Sequence, residues 1–367
     1  MKDTIVHTIT TINRGGAENQ LIQMISNNMF IKYNVVIIYL KGNGYWRKNL
    51  ENKGIKVYGP IFPSGNYFNL SGHFRLLKIV KSLKISLLHL HLPATLLVEF
   101  INRFFRRVKY PIVYTQHNDE PLIPIIPFQL FFVKVLLNQA FKIVAISNAV
   151  KQYLIIKYKV KSNKIQVINY CFDPKLYSQN SPLSVPEKSV YGPNDIFIGT
   201  VARLTSQKRL DLLLEAFSKL KIKFKNKSFK LIIIGSGELK NSLYDLAIQK
   251  KISKYVFWID YTEKVIEHIK LWDCFCLTSE YEGLGLVLLE AIYCKVPIVA
   301  MNVSSISNTV GPCGEVVPFG RTDIFAEKIS KVLKAKENYI HPEQLKKFDI
   351  YSNFKLHDKL YISTINS

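Results

Sequence analysis

Residues 196–220 read Ile196-Phe-Ile-Gly-Thr-Val-Ala-Arg203-Leu-Thr-Ser-Gln-Lys208-Arg209-Leu-Asp-Leu-Leu-Leu-Glu-Ala-Phe-Ser-Lys-Leu220, and they decide the fold. A short apolar run, Ile196–Val201, ends in a basic turn, and a segment with helical spacing, Arg209–Leu220, follows at once. A continuous apolar run predicts a strand buried on both faces, as in a parallel sheet whose helices cross back over it. The unit recurs downstream. Strands are predicted over Phe229–Ile234, Val256–Ile259, Cys274–Leu277 and Val296–Ala300, with helices over Leu239–Gln249, Leu284–Tyr293 and Asp323–Lys334. Upstream of a polar, proline-containing stretch around Pro174–Pro193 lies an earlier series. Its strands are Thr4–Ile9, Val35–Leu40, Leu87–Leu90, Ile112–Thr115, Ile143–Ile146 and Ile165–Ile168, and its helices include Ala17–Met29, Phe74–Leu83 and Ser147–Tyr158. Two such series predict an α/β chain of two Rossmann-like, doubly wound domains facing across a cleft, with ligands at the C-terminal ends of strands. The expected divisions are 1–178, 179–350, and a C-terminal segment 351–367 whose Phe354, Leu356, Leu360 and Ile362 suit packing back on the first domain.

Composition narrows the class. The chain has 367 residues, 48% of them hydrophobic and 21% charged, as a globular protein requires. No run reaches the roughly 18–20 apolar residues of a membrane span; the nearest, Leu122–Leu137, is broken by Pro124, Pro127, Gln129 and Lys134. The first residues lack the apolar stretch and small-residue cleavage site of a signal peptide. Five cysteines (Cys171, Cys274, Cys276, Cys294 and Cys313) with no C-x-x-C pair fit neither a disulfide framework nor a zinc site. A soluble or peripheral protein of a reducing, cytoplasmic compartment is expected. The charge is lopsided: residues 1–178 hold 24 Lys and Arg against seven Asp and Glu, whereas residues 179–367 hold 26 against 20. The first half therefore suits a polyanion, either nucleic acid or an anionic membrane surface.

Candidate chemistry sits at strand ends. Asn13-Arg14-Gly15-Gly16-Ala17-Glu18 follows the first strand, where paired glycines let backbone N–H groups approach a phosphate at a helix N-terminus. A tight turn explains them as well, and they form neither a G-x-G-x-x-G fingerprint nor a Walker loop. Arg203 and Lys208 leave one strand end together, as a ligand site or as a solvated basic turn. Ile232-Ile-Ile-Gly235-Ser-Gly237-Glu238 is a further strand–glycine–helix turn. Thr278-Ser-Glu-Tyr-Glu282-Gly283-Leu284-Gly285-Leu-Val-Leu-Leu-Glu290-Ala291 resists a bland explanation. Glu282 is read at the start of a helix, which favours its charge. Glu290 lies in a helix apolar on nearly every side, where a carboxylate needs a partner or a ligand.

In order and spacing these segments resemble the retaining family-4 glycosyltransferases of GT-B fold (glycosyl transferases group 1). The glutamate pair is Glu282 and Glu290, and the first glycine loop is Gly15-Gly16-Ala17-Glu18. His89-Leu90-His91 and Thr115-Gln116-His117 match its histidine-bearing strand ends, and Ala145-Ile146-Ser147 the strand end before the next helix. Arg203 and Lys208 match its basic donor ligands, and Asp273 its aspartate at the start of a strand. The resemblance spans essentially the whole chain. It implies an N-terminal acceptor-side domain and a C-terminal nucleotide-sugar donor domain. By the same resemblance, Gly16 N–H, Arg203 and Lys208 hold the donor diphosphate, and Gly15 and Gly235 are donor-binding as well. Glu290 binds the ribose, and Glu282 contacts the transferred sugar with Gly283, Leu284 and Gly285 N–H groups nearby. His117 hydrogen-bonds a sugar hydroxyl, which makes His117, Glu282, Arg203 and Lys208 the catalytic set. For His91 a satisfied strand-end histidine and a substrate role stand equal.

The chain departs from the family at Tyr170-Cys171-Phe172-Asp173, where an Asn-Gly turn is usual. It departs again at Asn302-Val-Ser-Ser-Ile-Ser-Asn308, where Gly-Gly and Pro-Glu are usual, and no role beyond a loop is assigned there. Without an Asp-x-Asp triplet, no metal and no other cofactor is expected. The implied reaction moves a hexose or N-acetylhexosamine, with retention, from a UDP- or GDP-sugar to a lipid-linked or oligosaccharide acceptor, as in O-antigen or capsule synthesis. Asn102–Lys109, mixing cations with aromatics, and the apolar Leu122–Phe132 suit an anionic inner membrane face, or a solvated basic surface. A hydrolysing sugar-nucleotide epimerase of the same architecture needs more acidic residues than the first half carries. A nucleic-acid binder explains the charge but not Glu290 or the glycine turns, so nucleic acid is not the expected partner.

Overall fold

All six residues of Thr4–Ile9 are buried, so this strand has no solvent-facing side and belongs inside a sheet covered on both faces. The computed structural model describes residues 2–13, 15–26, 30–105, 110–118, 127–177, 183–184 and 190–367. Contacts divide the chain into two units, Met1–Cys171 with Phe348–Ser367, and Phe172–Lys347. Residues 178 and 179, where the sequence reading put its boundary, lie outside the described residues.

In the first unit the chain runs β1 (Thr4–Ile9), α1 (Gly16–Ser26), β2 (Asn34–Tyr39), α2 (Arg47–Asn52), β3 (Lys56–Tyr58), α3 (Leu70–Ser82), β4 (Leu87–His91), α4 (Pro93–Phe105), β5 (Ile112–Gln116), α5 (Pro127–Asn138), β6 (Lys142–Ala145), α6 (Asn148–Tyr158) and β7 (Ile165–Val167). Its parallel sheet has the order β3-β2-β1-β4-β5-β6-β7. The second unit runs β8 (Ile196–Val201), α7 (Leu210–Lys223), β9 (Phe229–Ile234), α8 (Lys240–Gln249), β10 (Val256–Ile259), α9 (Val265–Ile269), β11 (Cys274–Leu277), α10 (Leu286–Tyr293), β12 (Ile298–Asn302), α11 (Ile306–Val310), β13 (Gly314–Pro318) and α12 (Thr322–Lys334). Its parallel sheet is ordered β10-β9-β8-β11-β12-β13. The last helix, α13 (Ile350–Ile365), returns to the first unit.

Local chemistry explains the ends. Ser147 caps α6 by accepting from Val150 N–H, and Asp349 caps α13 by accepting from Ser352 N–H at 2.8 Å. In α12 the buried set Thr322, Phe325, Ala326, Ile329 and Val332 recurs at helical spacing and meets the core built on Leu213, Phe217, Leu231 and Val299. In the first unit Ile5, Ile37, Leu87 and Val113 pack with Leu21, Ile25, Leu360 and Tyr361.

Three readings need correction. The short strands β3 and β13 were not anticipated. The stretch Asn302–Asn308, read as a loop, enters helix α11 at Ile306. The helix read from Leu284 starts at Leu286 behind Gly285, so Glu282 precedes it in a loop and its charge is not explained by a first helical turn. Residues 106–109 and 119–126, which carry much of the proposed membrane-facing sequence, and 27–29 of the first predicted helix, lie outside the described residues. Among the described residues no helix is long and apolar enough to cross a membrane.

Candidate active site

Reversal of strand order marks the ligand end of each sheet. In the second unit β8 and β11 are neighbours, and the chain leaves them in opposite directions, which opens a crevice beyond their C-terminal ends. The loops leaving these two strands are laced together. Glu280 N–H donates to Gln207 O at 2.9 Å, Gln207 Nε2 to Tyr281 O at 3.0 Å, and Thr278 Oγ1 to Lys208 O at 3.0 Å. The lacing brings Lys208 Nζ to 2.5 Å from Glu282 Oε2, an oxygen that also accepts from Ser279 Oγ at 3.2 Å. Both charged side chains are about 85% covered, 14% and 16% exposed, so each depends on the other for charge compensation. Arg203, from the same loop as Lys208, is exposed and has no ion pair or side-chain hydrogen bond among the described residues.

Next to this pair, Gly285 adopts φ 75° as the residue before α10, a conformation that favours glycine. The N–H groups of Gly283, Leu284 and Gly285 have no hydrogen-bond partner among the described residues. Free N–H groups at a helix N-terminus attract an anion. Further along α10, Glu290 accepts from Tyr177 Oη at 3.2 Å. Its side chain keeps some solvent contact, but the carboxyl group is enclosed. Burial pushes its pKa up to about 7, against the opposing effect of the Tyr177 hydrogen bond. Tyr177 is itself stacked on Phe172, with ring centroids 5.0 Å apart.

The glycine turn after β9 has an internal reason. Gly235, at φ 143°, would place a Cβ 2.0 Å from Ala202 O, and a Cβ on Gly237 would lie 2.4 Å from Leu204 O. The turn thus presses backbone to backbone against the segment that carries Arg203. Asp273 ties the opposite end of the sheet: its Oδ2 accepts from Phe197 N–H at 2.7 Å, and Lys336 pairs with its other oxygen.

In the first unit the reversal lies between β1 and β4; Gly15 and Gly16 follow β1, and His91 ends β4. The Glu18 carboxylate folds back over the glycine turn. It accepts from Thr11 Oγ1 at 2.5 Å, and a Cβ on Gly15 would lie 2.3 Å from its other oxygen. Gly15 therefore makes room for this carboxylate, while Gly16 is exposed at the start of α1. His117 directly follows β5, at the strand end where the sequence reading puts it, and it faces protein groups there. Its Nε2 is 3.2 Å from His91 Nδ1 and its Nδ1 is 2.6 Å from Tyr170 Oη, so both nitrogens already have protein partners. A bond to a sugar hydroxyl requires one of these to break. His91 Nε2 continues the chain to His7 Nδ1 at 3.0 Å, and His89 bonds Tyr361 Oη and Thr115 Oγ1. Burial, reinforced in His7 by His357, holds His7 at about 3, and burial alone puts His117 there; His89 and His91 are also held well below the ordinary value. The cluster is neutral at pH 7. His7, His89 and His91 do not suit a shared metal ion. The His89 and His91 rings stack at 4.2 Å and 27°, so their in-plane lone pairs run side by side, and only His7 Nε2 lacks a partner.

The structure thus brings together Lys208, Glu282 and the Gly283–Gly285 amides, with Arg203 and Glu290 on the same two loops and helix. It keeps Gly15, Gly16 and His117 in the other unit. Sequence reasoning missed Gln207, Tyr177, Ser304, Ser305 and Thr309. Only the hydroxyl-bearing pair Ser305 and Thr309, four residues apart, left a visible signal, since that spacing puts both on one helix face.

Two family models match the chain: Glycosyltransferase Family 4 over residues 14–176 and Glycosyl transferases group 1 over residues 185–349. The capsular polysaccharide biosynthesis glycosyltransferase CapM of Staphylococcus aureus is 29% identical over 214 residues, 54% of each chain. The N-acetyl-alpha-D-glucosaminyl L-malate synthase of Bacillus anthracis is 25% identical over 199 residues, 53% of this chain and 51% of that one. The chain spans about half the length of these relatives. Among solved structures, Anabaena Alr3699/HepE in complex with UDP and glucose has a TM-score of 0.82 at 19% identity, covering 98% of this chain and 100% of the other, a likeness of fold.

Proposed function

This chain belongs to the group 1, family 4 glycosyltransferases, and from that premise we propose that it transfers a sugar, with retention, from a nucleotide diphosphate donor to a saccharide acceptor. One observation carries the reading. Where β8 and β11 part, a guanidinium and three backbone N–H groups without a partner among the described residues lie on adjoining loops with an ammonium, and an enclosed carboxyl sits on the helix that follows. Cleavage of the bond from the sugar to the diphosphate leaves negative charge on the diphosphate. Arg203, Lys208 and the amides of 283–285 stabilise that charge. Glu290 accepts from the ribose hydroxyls, and Glu282 orients the sugar and keeps Lys208 in place. The acceptor oxygen bonds to the anomeric carbon on the face the diphosphate leaves, and its proton passes to a diphosphate oxygen. No metal step is invoked. The donor is a UDP- or GDP-linked hexose or N-acetylhexosamine, and surface polysaccharide is the product class, in keeping with relatives named for capsule and O-antigen synthesis.

The test is a thermal-shift panel of UDP, GDP, ADP and their sugars. A specific nucleotide at about 100 times its Kd stabilises the folded chain by about 2.7 kcal/mol and raises its melting temperature, and Arg203→Ala with Lys208→Ala abolishes the shift. If no nucleotide shifts the wild type, the proposal is wrong.

For the acceptor we propose a lipid-linked saccharide, reached by the first unit at the cytoplasmic membrane face. Support comes from α3 and the turn before it. Phe68, Leu70 and Phe74 are 71%, 61% and 65% exposed beside the exposed cations Arg75, Lys78 and Lys81, and no acidic residue occurs between Glu51 and Glu99. Helix α4, joined to α3 through His73 and Asn102, ends in exposed Phe104 and Phe105. Each cation near anionic lipid contributes about 1 kcal/mol. Flotation with phosphatidylserine vesicles at low salt is expected to carry the wild type, and the Arg75→Glu, Lys78→Glu, Lys81→Glu variant is expected to stay behind. A wild type that never floats disproves the membrane placement and leaves the donor assignment untouched.

A further inference from the structure

The stretch that departs from the family pattern, 302–308, has a structural role in the donor loop. Glu282 N–H donates to Ser304 Oγ at 3.3 Å, Ser305 Oγ donates to Gly283 O at 2.7 Å, and Thr309 Oγ1 lies 3.0 Å from Leu284 O. Three hydroxyls thus hold three consecutive residues. The single Thr309 proton also has Ser305 O at 3.3 Å, and the shorter contact goes to the loop. Ser305 and Thr309 are buried, and their helix is held in turn by Gln344, whose Nε2 donates to Asn308 O at 2.7 Å and approaches Thr309 O at 3.1 Å. Ser304 has φ 51°, a conformation disfavoured for a residue other than glycine, so this turn is held by its surroundings.

The consequence follows from the planarity of the peptide bond. In a trans peptide the C=O of one residue and the N–H of the next point in opposite directions. With Gly283 C=O drawn toward Ser305, Leu284 N–H must face away from α11. With Leu284 C=O drawn toward Thr309, Gly285 N–H must do the same. These are two of the amides that lack a partner among the described residues at the start of α10. We infer that Ser305 and Thr309 are positioning residues that aim the Leu284 and Gly285 amides at the anionic part of the donor through a clasp of hydroxyl groups. The inference rests on the donor assignment above.

Thr309→Val keeps the shape and removes the hydroxyl, whereas Thr309→Ser keeps the hydroxyl. Loss of one such bond weakens aim by about five- to tenfold in nucleotide affinity. The expected result is a raised nucleoside diphosphate Kd and donor KM in Thr309→Val and Ser305→Ala, faster amide hydrogen exchange at 283–286, and rescue of all three in Thr309→Ser. If Thr309→Val fails to fold, Ser305→Ala and Thr309→Ser carry the same comparison. Wild-type affinity and exchange in folded Thr309→Val and Ser305→Ala overturn the clasp while the donor site stands. Absence of nucleotide binding in the wild type overturns the donor assignment and the clasp with it, whereas nucleotide binding unaffected by the variants sinks only the clasp.

Discussion

Lys208→Ala is expected to lower kcat by about 10²- to 10³-fold, the 3–4 kcal/mol typical of removing one preorganised group from a developing oxyanion. The change has two parts. On the proposed reaction, the ammonium that meets the leaving diphosphate is lost, and Glu282, only 16% exposed, loses the partner 2.5 Å away. A covered carboxylate without its cation then opposes a negatively charged donor as well as failing to orient it. Lys208→Arg should not rescue fully, because a planar guanidinium does not fit the position of a compact ammonium held by one oxygen. Arg203→Ala should fall in the same direction, without the added penalty, because Arg203 has no ion-pair partner among the described residues to leave behind. The measurement is release of nucleoside diphosphate under donor saturation, with melting temperature recorded for each variant. Turnover unchanged in Lys208→Ala and Arg203→Ala removes the leaving-group role from both.

Acidification is expected to unfold the first unit well before carboxylates protonate generally. His7, His89, His91 and His117 are buried together with His357, which α13 contributes. His7 and His117 are held at about 3 by burial, reinforced in His7 by His357, and His357 is lowered to about 4 by burial against a backbone hydrogen bond. In the unfolded chain each has the ordinary value near 6.5. The unfolded state therefore binds protons that the folded state refuses. The stability is complete above the unfolded value, falls as pH drops below about 6.5, and goes on falling to the folded values near 3–4. At pH 5 each of these three imidazoles costs about 2 kcal/mol, or about 6 kcal/mol together, with His89 and His91 adding in the same direction. That rivals the whole stability of many domains, about 5–15 kcal/mol. Urea unfolding followed at pH 7.5, 6 and 5 should show the loss, and it should diminish in a His357→Gln variant that remains folded at pH 7.5. A flat profile from pH 7.5 to 5 rules out neutral burial of the cluster.

The alternation of strands and helices, the two series and the uneven charge were legible in the sequence, which also singles out Arg203, Lys208, Glu282 and Glu290 as candidates. Burial on both faces and helical spacing are repetitive local signals, and a charge inside an apolar segment stands out against them. The short strands β3 and β13 were not legible: three residues at Lys56–Tyr58, and a run bounded by Gly314 and Pro318, carry too little periodicity to predict pairing. Only the tertiary structure could assign the contacts that define the site. Tyr177 meets Glu290 across 113 residues, Lys208 meets Glu282 across 74, and Ser305 meets Gly283 across 22. Each is a single hydrogen bond or ion pair between distant segments, which leaves no trace in the spacing of either one. The same holds for His117, whose type marked it as a candidate but whose two nitrogens were assigned by His91 and Tyr170. Local sequence sets which residues are buried and in what element. Which polar atoms those residues then face depends on strand order and loop packing, and that is a property of the folded chain alone.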